Sequence, residues 1–94
     1  MKTVKVCVLL NSIERVKRFS KHAEKFDSGD IDIVSGRYTI DGKSIMGIFS
    51  LDLSKELNVT LNAESMEDIQ DFLRLLKEEK IEWRYAADLK HKLK

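Results

Sequence analysis

The chain of 94 residues contains no proline, one tryptophan and one cysteine. Because Cys7 is alone, no disulfide can form within the chain, and a reducing compartment is the expected environment. Cys7 lies among small apolar side chains that suit a strand, and no metal-ligand spacing accompanies it. We therefore expect a buried, inert thiol rather than a reactive one.

The chain also lacks a charge excess and any long apolar run. Its 17 basic and 16 acidic residues give a formal net charge of +1, which argues against a nucleic-acid partner. No stretch reaches the roughly 20 apolar residues that span a bilayer. The first residues show no small-residue cleavage signal. We expect a cytoplasmic protein without a membrane partner.

With 43% apolar residues, a chain of this length predicts one compact domain. Basic residues outnumber acidic ones over residues 14–25 and 80–94, whereas residues 27–79 are acidic overall. Two interpretations remain open: these runs are solvated helix faces, or they dock to an acidic partner.

The periodicity of apolar residues predicts strand, helix, strand, strand, short helix, strand and helix, in that order. Asn11 or Ser12 is expected to cap the first long helix, with Glu14 completing a capping box from Asn11, and Ser65 to cap the second. Gly29 is expected to close the first helix. Strands are predicted at residues 3–10, 30–34, 37–40 and 58–63, with turns at 35–36 and 41–42 and a short helix at 44–51.

Each long helix carries one apolar stripe, and both stripes must be buried. Four strands with both helices on one face achieve this, so the sequence predicts an open-faced α+β sandwich with an antiparallel sheet. The predicted stripes are Ile13, Val16, Phe19, Ala23 and Phe26 in the first helix, and Met66, Ile69, Phe72, Leu73 and Leu76 in the second.

Residues 43–51 are the most informative stretch. Ser44 can cap a helix, the apolar residues after it are too few for a long helix, and a strand pattern follows at 58–63. This combination resembles the histidine-containing phosphocarrier proteins (HPr) of the bacterial sugar phosphotransferase system. The resemblance covers about residues 3–80 and is strongest over 43–79. It implies an HPr-like domain at 1–80, followed by an extension at 81–94.

In the HPr family, a histidine just before the first helix accepts phosphate with the help of an arginine. Counting back from Lys25 and Phe26, which resemble the family's helix ending, places Ser12 at the histidine position. The same count places Glu14 at the arginine and Arg15 at the following proline. The resemblance therefore implies a carrier fold without the carrier chemistry.

His22 is the nearest histidine to that position. It lies ten residues into the predicted helix, too far from the N-terminal amides for the family's chemistry. We expect its side chain to be exposed to solvent. No other arrangement of residues predicts an active site, a cofactor or a metal. The chain is therefore not expected to be an enzyme.

The resemblance places the family's regulatory serine at Ser44, the target of HPr kinase. It also places a partner-binding surface at Ile45, Met46 and Phe49. Positions one, two and five after the cap cannot all face inward on a short helix, so at least one should be exposed. Core packing is the alternative, above all for Phe49.

The extension at 81–94 mixes Trp83, Tyr85 and Leu89 with lysines. A short helix packing Trp83 or Leu89 onto the domain is favoured over a frayed basic tail or a self-association surface. We expect a regulatory protein-binding module, monomeric or weakly dimeric, whose partners are phosphotransferase components or a regulator. The alternatives are a working phosphocarrier with an unrecognised acceptor, and a structural module that self-associates through the extension.

Overall fold

A computed structural model describes residues 1–86, which form an antiparallel sheet covered by helices on one face. The sheet has five strands in the order β3-β2-β4-β1-β5. Along the chain the elements are β1 (Lys2–Val8), α1 (Ile13–Glu24), β2 (Gly29–Ser35), β3 (Tyr38–Asp41), α2 (Ile45–Phe49), β4 (Leu57–Ala63), α3 (Met66–Glu78) and β5 (Trp83–Tyr85). The α+β sandwich expected from the sequence is confirmed. No helix in this part of the chain is long and apolar enough to cross a membrane.

Strand register separates an apolar face from a polar one. Val6 pairs with Val59, Val59 pairs with Ile33, and all three side chains are buried beneath the helices. The residues between them point the other way because side chains alternate along a strand. Cys7 pairs with Asn58 on that opposite face, where its thiol lies 3.5 Å from the Asn58 Oδ1 atom. The thiol is buried, as expected.

The helices bury most of their predicted stripes. Phe19 of α1 and Phe72 of α3 meet edge to face with ring centroids 5.7 Å apart, an arrangement favoured by the ring quadrupoles. Two stripe positions are wrong: Ile13 is 61% exposed and Met66 is 37% exposed. Each is the first residue of its helix.

Three local predictions are also wrong. Of the two candidate caps, Ser12 is confirmed, so the capping box expected from Asn11 is wrong: Glu14 is the second helical residue, not the third. The hairpin turn lies at Gly36 and Arg37, one residue later than expected, because Ser35 still pairs with Tyr38. Gly29 does not close α1; it begins β2, where a Cβ atom would lie 1.8 Å from the carbonyl oxygen of Asn62.

The end of the described chain adds a fifth strand to the predicted four. Residues 83–85 form β5 along β1, with Trp83 opposite Val8, so no helix forms at Trp83. Arg84 clamps the strand through two hydrogen bonds, of 3.0 and 2.7 Å, to the carboxylate of Glu56. Ile81, between α3 and β5, is 1% exposed. Leu89, the other residue predicted to pack from the extension, lies outside the described residues.

Candidate functional site

Ser12 occupies the position directly before α1. Its backbone is extended (φ −152°, ψ 156°), and its hydroxyl oxygen accepts the N–H of Arg15 at 3.1 Å. The carbonyl of the same residue accepts the N–H of Val16. Ser12 is therefore an N-cap that satisfies one of the amides left unpaired at the start of the helix.

The two residues that the resemblance assigns to the arginine and proline positions behave differently. Glu14 is exposed in the first turn of α1. The Arg15 guanidinium turns aside, donating from Nη1 to the Asn11 side-chain oxygen at 2.8 Å and from Nε to the Lys80 carbonyl at 3.4 Å. The start of α1 is thereby linked to the end of α3, a contact that no local sequence pattern indicated.

The prediction that His22 is exposed to solvent is wrong. Its side chain is 15% exposed, and its Nε2 atom lies 2.7 Å from Oε2 of Glu79. This hydrogen bond, with the charges of Arg18 and Lys21 adding to it, holds the pKa of Glu79 below the usual value for a glutamate. His22 therefore joins α1 to the end of α3, away from the cap at Ser12.

Ser44 caps α2. Its hydroxyl oxygen accepts the N–H of Gly47 at 3.2 Å, and its own N–H donates to the Asp41 carbonyl at 2.9 Å. The preceding turn is fixed twice more: the Lys43 N–H donates to the Asp41 carboxylate, and the Ser20 hydroxyl donates to the Lys43 carbonyl. The serine side chain nevertheless remains exposed.

Three apolar side chains follow Ser44 and stay at the surface; we call Ile45, Met46 and Phe49 the α2 patch. Met46 is 81% exposed and the other two are 36% exposed, so the expected exposure is present and Phe49 is not taken into the core. Ile48 alone anchors α2 in the core.

The surface beside the α2 patch includes a residue that the sequence reasoning missed. A cavity of about 540 Å³ lies between α2 and β3, and Tyr38, which is 73% exposed, lines it together with Gly47 and Leu51. Alternation along residues 37–40 places Tyr38 on the same face as Ile40, and this was the available signal. Residues 1–86 contain no group of side chains arranged to hold a metal ion.

Comparisons with known proteins agree on one family. A family model described as "PTS HPr component phosphorylation site" matches residues 15–78. HPr-C-His from Thermoanaerobacter tengcongensis is similar in structure, with a TM-score of 0.60 and 30% identity over 82% of this chain and 92% of that chain.

A phosphocarrier protein HPr from Bacillus anthracis str. Ames shares the fold, with a TM-score of 0.56 and 24% identity over 79% of this chain and 94% of that chain. No curated protein matches the sequence. The family match begins at Arg15, three residues after Ser12. From the family match and the 30% identical structure together, the chain belongs to the HPr family.

Proposed function

We propose that this member of the HPr family does not relay phosphate through residue 12 and acts as a regulatory protein-binding module. The observation that carries the proposal is the side chain found directly before α1. Counting back from Lys25 and Phe26, the family resemblance assigns Ser12 to the position of the phosphate-accepting histidine, and the Ser12 hydroxyl caps the helix.

The chemistry at Ser12 opposes a relay. A phosphohistidine passes its phosphate on readily because the P–N bond is labile, whereas a serine phosphate ester is a poor donor. Glu14, exposed in the same turn, adds a negative charge near the place where a dianionic phosphate would be held. His22 offers no substitute, because it lies ten residues after Ser12, or roughly 15 Å along the helix axis. Its ring is also hydrogen-bonded to Glu79.

The α2 patch supports the binding role. HPr proteins act through contacts with other proteins, and exposed apolar side chains gathered on one short helix are typical of such contacts. Met46 is the most exposed of the three, and its flexible thioether suits adaptable surfaces. The partner class we propose is a phosphotransferase component or a regulator that reads this surface.

Ser44 is the proposed switch of the surface. Its exposed hydroxyl lies next to Ile45, so a phosphate there would add negative charge at the edge of the α2 patch. Incubation with HPr kinase and ATP should place one phosphate on the peptide containing Ser44, detected by mass spectrometry. A Ser44→Ala variant is the control, and modification elsewhere in the wild type would contradict this assignment.

The carrier question is tested with enzyme I, the first component of the phosphotransferase system, and its phosphoryl donor. The wild type should accept no phosphate that it can pass to a sugar permease component. The double variant Ser12→His/Glu14→Arg is the gain-of-function comparison, and an HPr that has its histidine is the positive control. Repeated delivery of phosphate by the wild type would show a working carrier and overturn the proposal.

The binding role is tested separately by replacing Ile45 and Met46 with serine. Because both side chains are at least partly exposed, the melting temperature should change little while capture of the partner component is lost. The matched control replaces Leu75 of α3, which is 38% exposed, with serine. Undiminished capture by the double variant would remove the α2 patch from the proposal.

Self-association is a second candidate because β5 lies at the edge of the sheet. An edge strand offers unpaired backbone groups to another strand, and Tyr85 is half exposed there. Light scattering across a range of protein concentrations should then show a mass that rises toward a dimer. A constant monomer mass would exclude this role.

A further inference from the structure

We propose that the cavity between the start of α1 and the end of α3 binds a small phosphate ester. Three cationic side chains line it, Arg15, Lys77 and Lys80, and its volume is about 490 Å³. The cavity is open to solvent on one side, and its volume accommodates a small molecule. Ser12, Glu14, Ser44 and the α2 patch are not among its lining residues, so the proposal does not depend on the function proposed for them.

Arg15 is held in place before any ligand arrives. The Asn11 side chain and the Lys80 carbonyl each accept one of its guanidinium N–H groups, which fixes the plane of the fork. An arginine ordered in this way loses less side-chain freedom when it binds an anion. Its remaining N–H groups suit the oxygens of a phosphate, which guanidinium groups bind with two parallel hydrogen bonds.

Lys80 occupies a position where a side chain is costly. The N–H of Lys80 donates to the Lys77 carbonyl and the N–H of Ile81 donates to the Leu76 carbonyl, which is the Schellman pattern of a helix end. The residue in the left-handed conformation of this motif is usually glycine, yet here it is a lysine with φ of 62°. Strained residues of this kind cluster at functional sites.

The hydrogen bonds of that helix end also remove a source of repulsion. The carbonyls of Leu75, Leu76 and Lys77 all accept backbone N–H groups, and that of Lys80 accepts from Arg15. An anion in the cavity therefore faces fewer unpaired carbonyl oxygens than the end of an uncapped helix would present.

The charge balance of the cavity is positive. Glu82 is the one carboxylate among the lining residues, against three cations; Glu14, in the first turn of α1, does not line the cavity. Within residues 1–86, no carboxylate forms an ion pair with Arg15, Lys77 or Lys80. A phosphate monoester carries up to two negative charges near neutral pH and would neutralise most of this excess.

Ile81 and Trp83 complete the lining and give the cavity an apolar wall. Trp83 packs partly against the core, and its indole N–H has no acceptor among the described residues. A cationic rim beside an aromatic ring favours a ligand with both a phosphate and a ring, over inorganic phosphate alone. Sugar phosphates and nucleoside monophosphates share this chemistry.

The test uses NMR, because Trp83 is the chain's one tryptophan and gives a single indole N–H signal. Glucose 6-phosphate is titrated against glucose, AMP against adenosine, and inorganic phosphate alone, each to roughly 10 mM so that weak binding is seen. We expect saturable shifts of the indole and of the Lys77 and Lys80 amides with at least one ester. The unphosphorylated parent compounds should give no shifts. The ester that binds shows whether the ligand is a sugar phosphate or a nucleoside monophosphate.

Lys80→Gly is the decisive variant, because it removes the charge while relieving the left-handed strain. Its affinity for the ester should fall about tenfold, while its melting temperature is unchanged or higher. Lys77→Gln should weaken binding similarly. Lys2→Gln, which makes the same change in net charge at the start of β1, should bind like the wild type.

Four results would overturn the proposal. They are no shift with any ester, equal shifts with ester and parent compound, unchanged affinity in Lys80→Gly, and equal weakening in Lys2→Gln, which would indicate a general charge effect. A tetraglutamate peptide that shifts the same signals while both esters do not would assign the cavity to an acidic protein segment instead.

Discussion

Three serines cap the three helices of residues 1–86, and their surroundings give them different roles. Ser12, Ser44 and Ser65 each accept the N–H of the residue three positions later. Ser12 is half-buried beside the Arg15 side chain, whereas Ser44 is exposed beside the α2 patch. The same local pattern in the sequence therefore supports a structural role for one serine and a regulatory proposal for another.

The cap at Ser12 has a measurable effect on stability. Replacing Ser12 with alanine should lower the free energy of unfolding by about 1 kcal/mol, because one amide of α1 loses its acceptor. Ser65→Ala, which removes the corresponding acceptor of α3, is the matched variant and should cost a similar amount. Denaturant unfolding measures both. Full stability in Ser12→Ala alone would show that the hydroxyl is not engaged in the cap.

The pair formed by His22 and Glu79 predicts a pH dependence of stability. The pKa of Glu79 is lowered in the folded protein, chiefly by its hydrogen bond with His22. A lowered acid pKa stabilises the fold above the unfolded-state pKa, and the stabilisation is lost as the pH falls through the folded-state pKa. The wild type should therefore melt above Glu79→Gln at neutral pH, with the difference shrinking in the acid range.

Thermal melts of both proteins between neutral pH and about pH 3, below the ordinary pKa of a glutamate, measure this difference. Glu78→Gln is the control, because Glu78 is the neighbour of Glu79 on α3, is exposed, and forms no ion pair within the described residues. A difference in melting temperature between wild type and Glu79→Gln that grows toward low pH would contradict the prediction.

Among the elements, the start of β2 at Gly29 was the hardest to predict from the sequence. A glycine after a helix usually marks a left-handed helix end, but β2 begins here because the strand lies close against the backbone of β4. A Cβ on Gly29 would overlap the Asn62 carbonyl, which must then move or the strands must separate. The requirement comes from a residue 33 positions away, which no local pattern reports.

Gly29→Ala should therefore destabilise the protein by about 2 kcal/mol or more, as overpacking in a filled space does. Gly36→Asn is the comparison: no atom lies within 4 Å of a Cβ there, and asparagine tolerates the left-handed φ of 60°. Its stability should change by less than about 0.5 kcal/mol, the usual range for surface changes. The free energies of unfolding of the two variants, measured with a chemical denaturant, show whether steric contact at Gly29 costs more than a left-handed backbone at Gly36.

The elements also show why some predictions succeeded. Val59, Leu61 and Ala63 alternate along β4 and are all buried, and the Ser65 cap begins α3 where the pattern placed it. These features depend on residues close together in the sequence. The His22–Glu79 pair and the Arg15 contact with Lys80 join residues more than 50 positions apart. Such contacts follow from how α1 and α3 pack, so they escaped prediction, and with them the candidate anion site.

For the molecule as a whole, residues 81–85 after α3 form part of the folded domain and add an edge strand to the sheet. The family resemblance placed the end of the HPr-like domain at residue 80; in the structure Ile81 lies in the core and β5 extends the sheet beside β1. The Leu9 N–H also donates to the Glu82 carbonyl, which continues the contact beyond the strand pair. Residues 81–85 therefore contribute apolar burial and hydrogen bonds to the same domain.

Ending the chain after residue 80 should consequently destabilise the whole domain. Loss of Ile81 alone removes a fully buried side chain, an effect of about 2 to 5 kcal/mol when such a residue becomes alanine. Domains of this size have only about 5 to 15 kcal/mol of stability, so the shortened chain should be largely unfolded at 37 °C. Ile81→Ala in the full chain is the matched variant and should retain β5 while melting several degrees lower. Circular dichroism melts measure both proteins; a shortened chain as stable as the full one would mean that residues 1–80 fold as an independent domain.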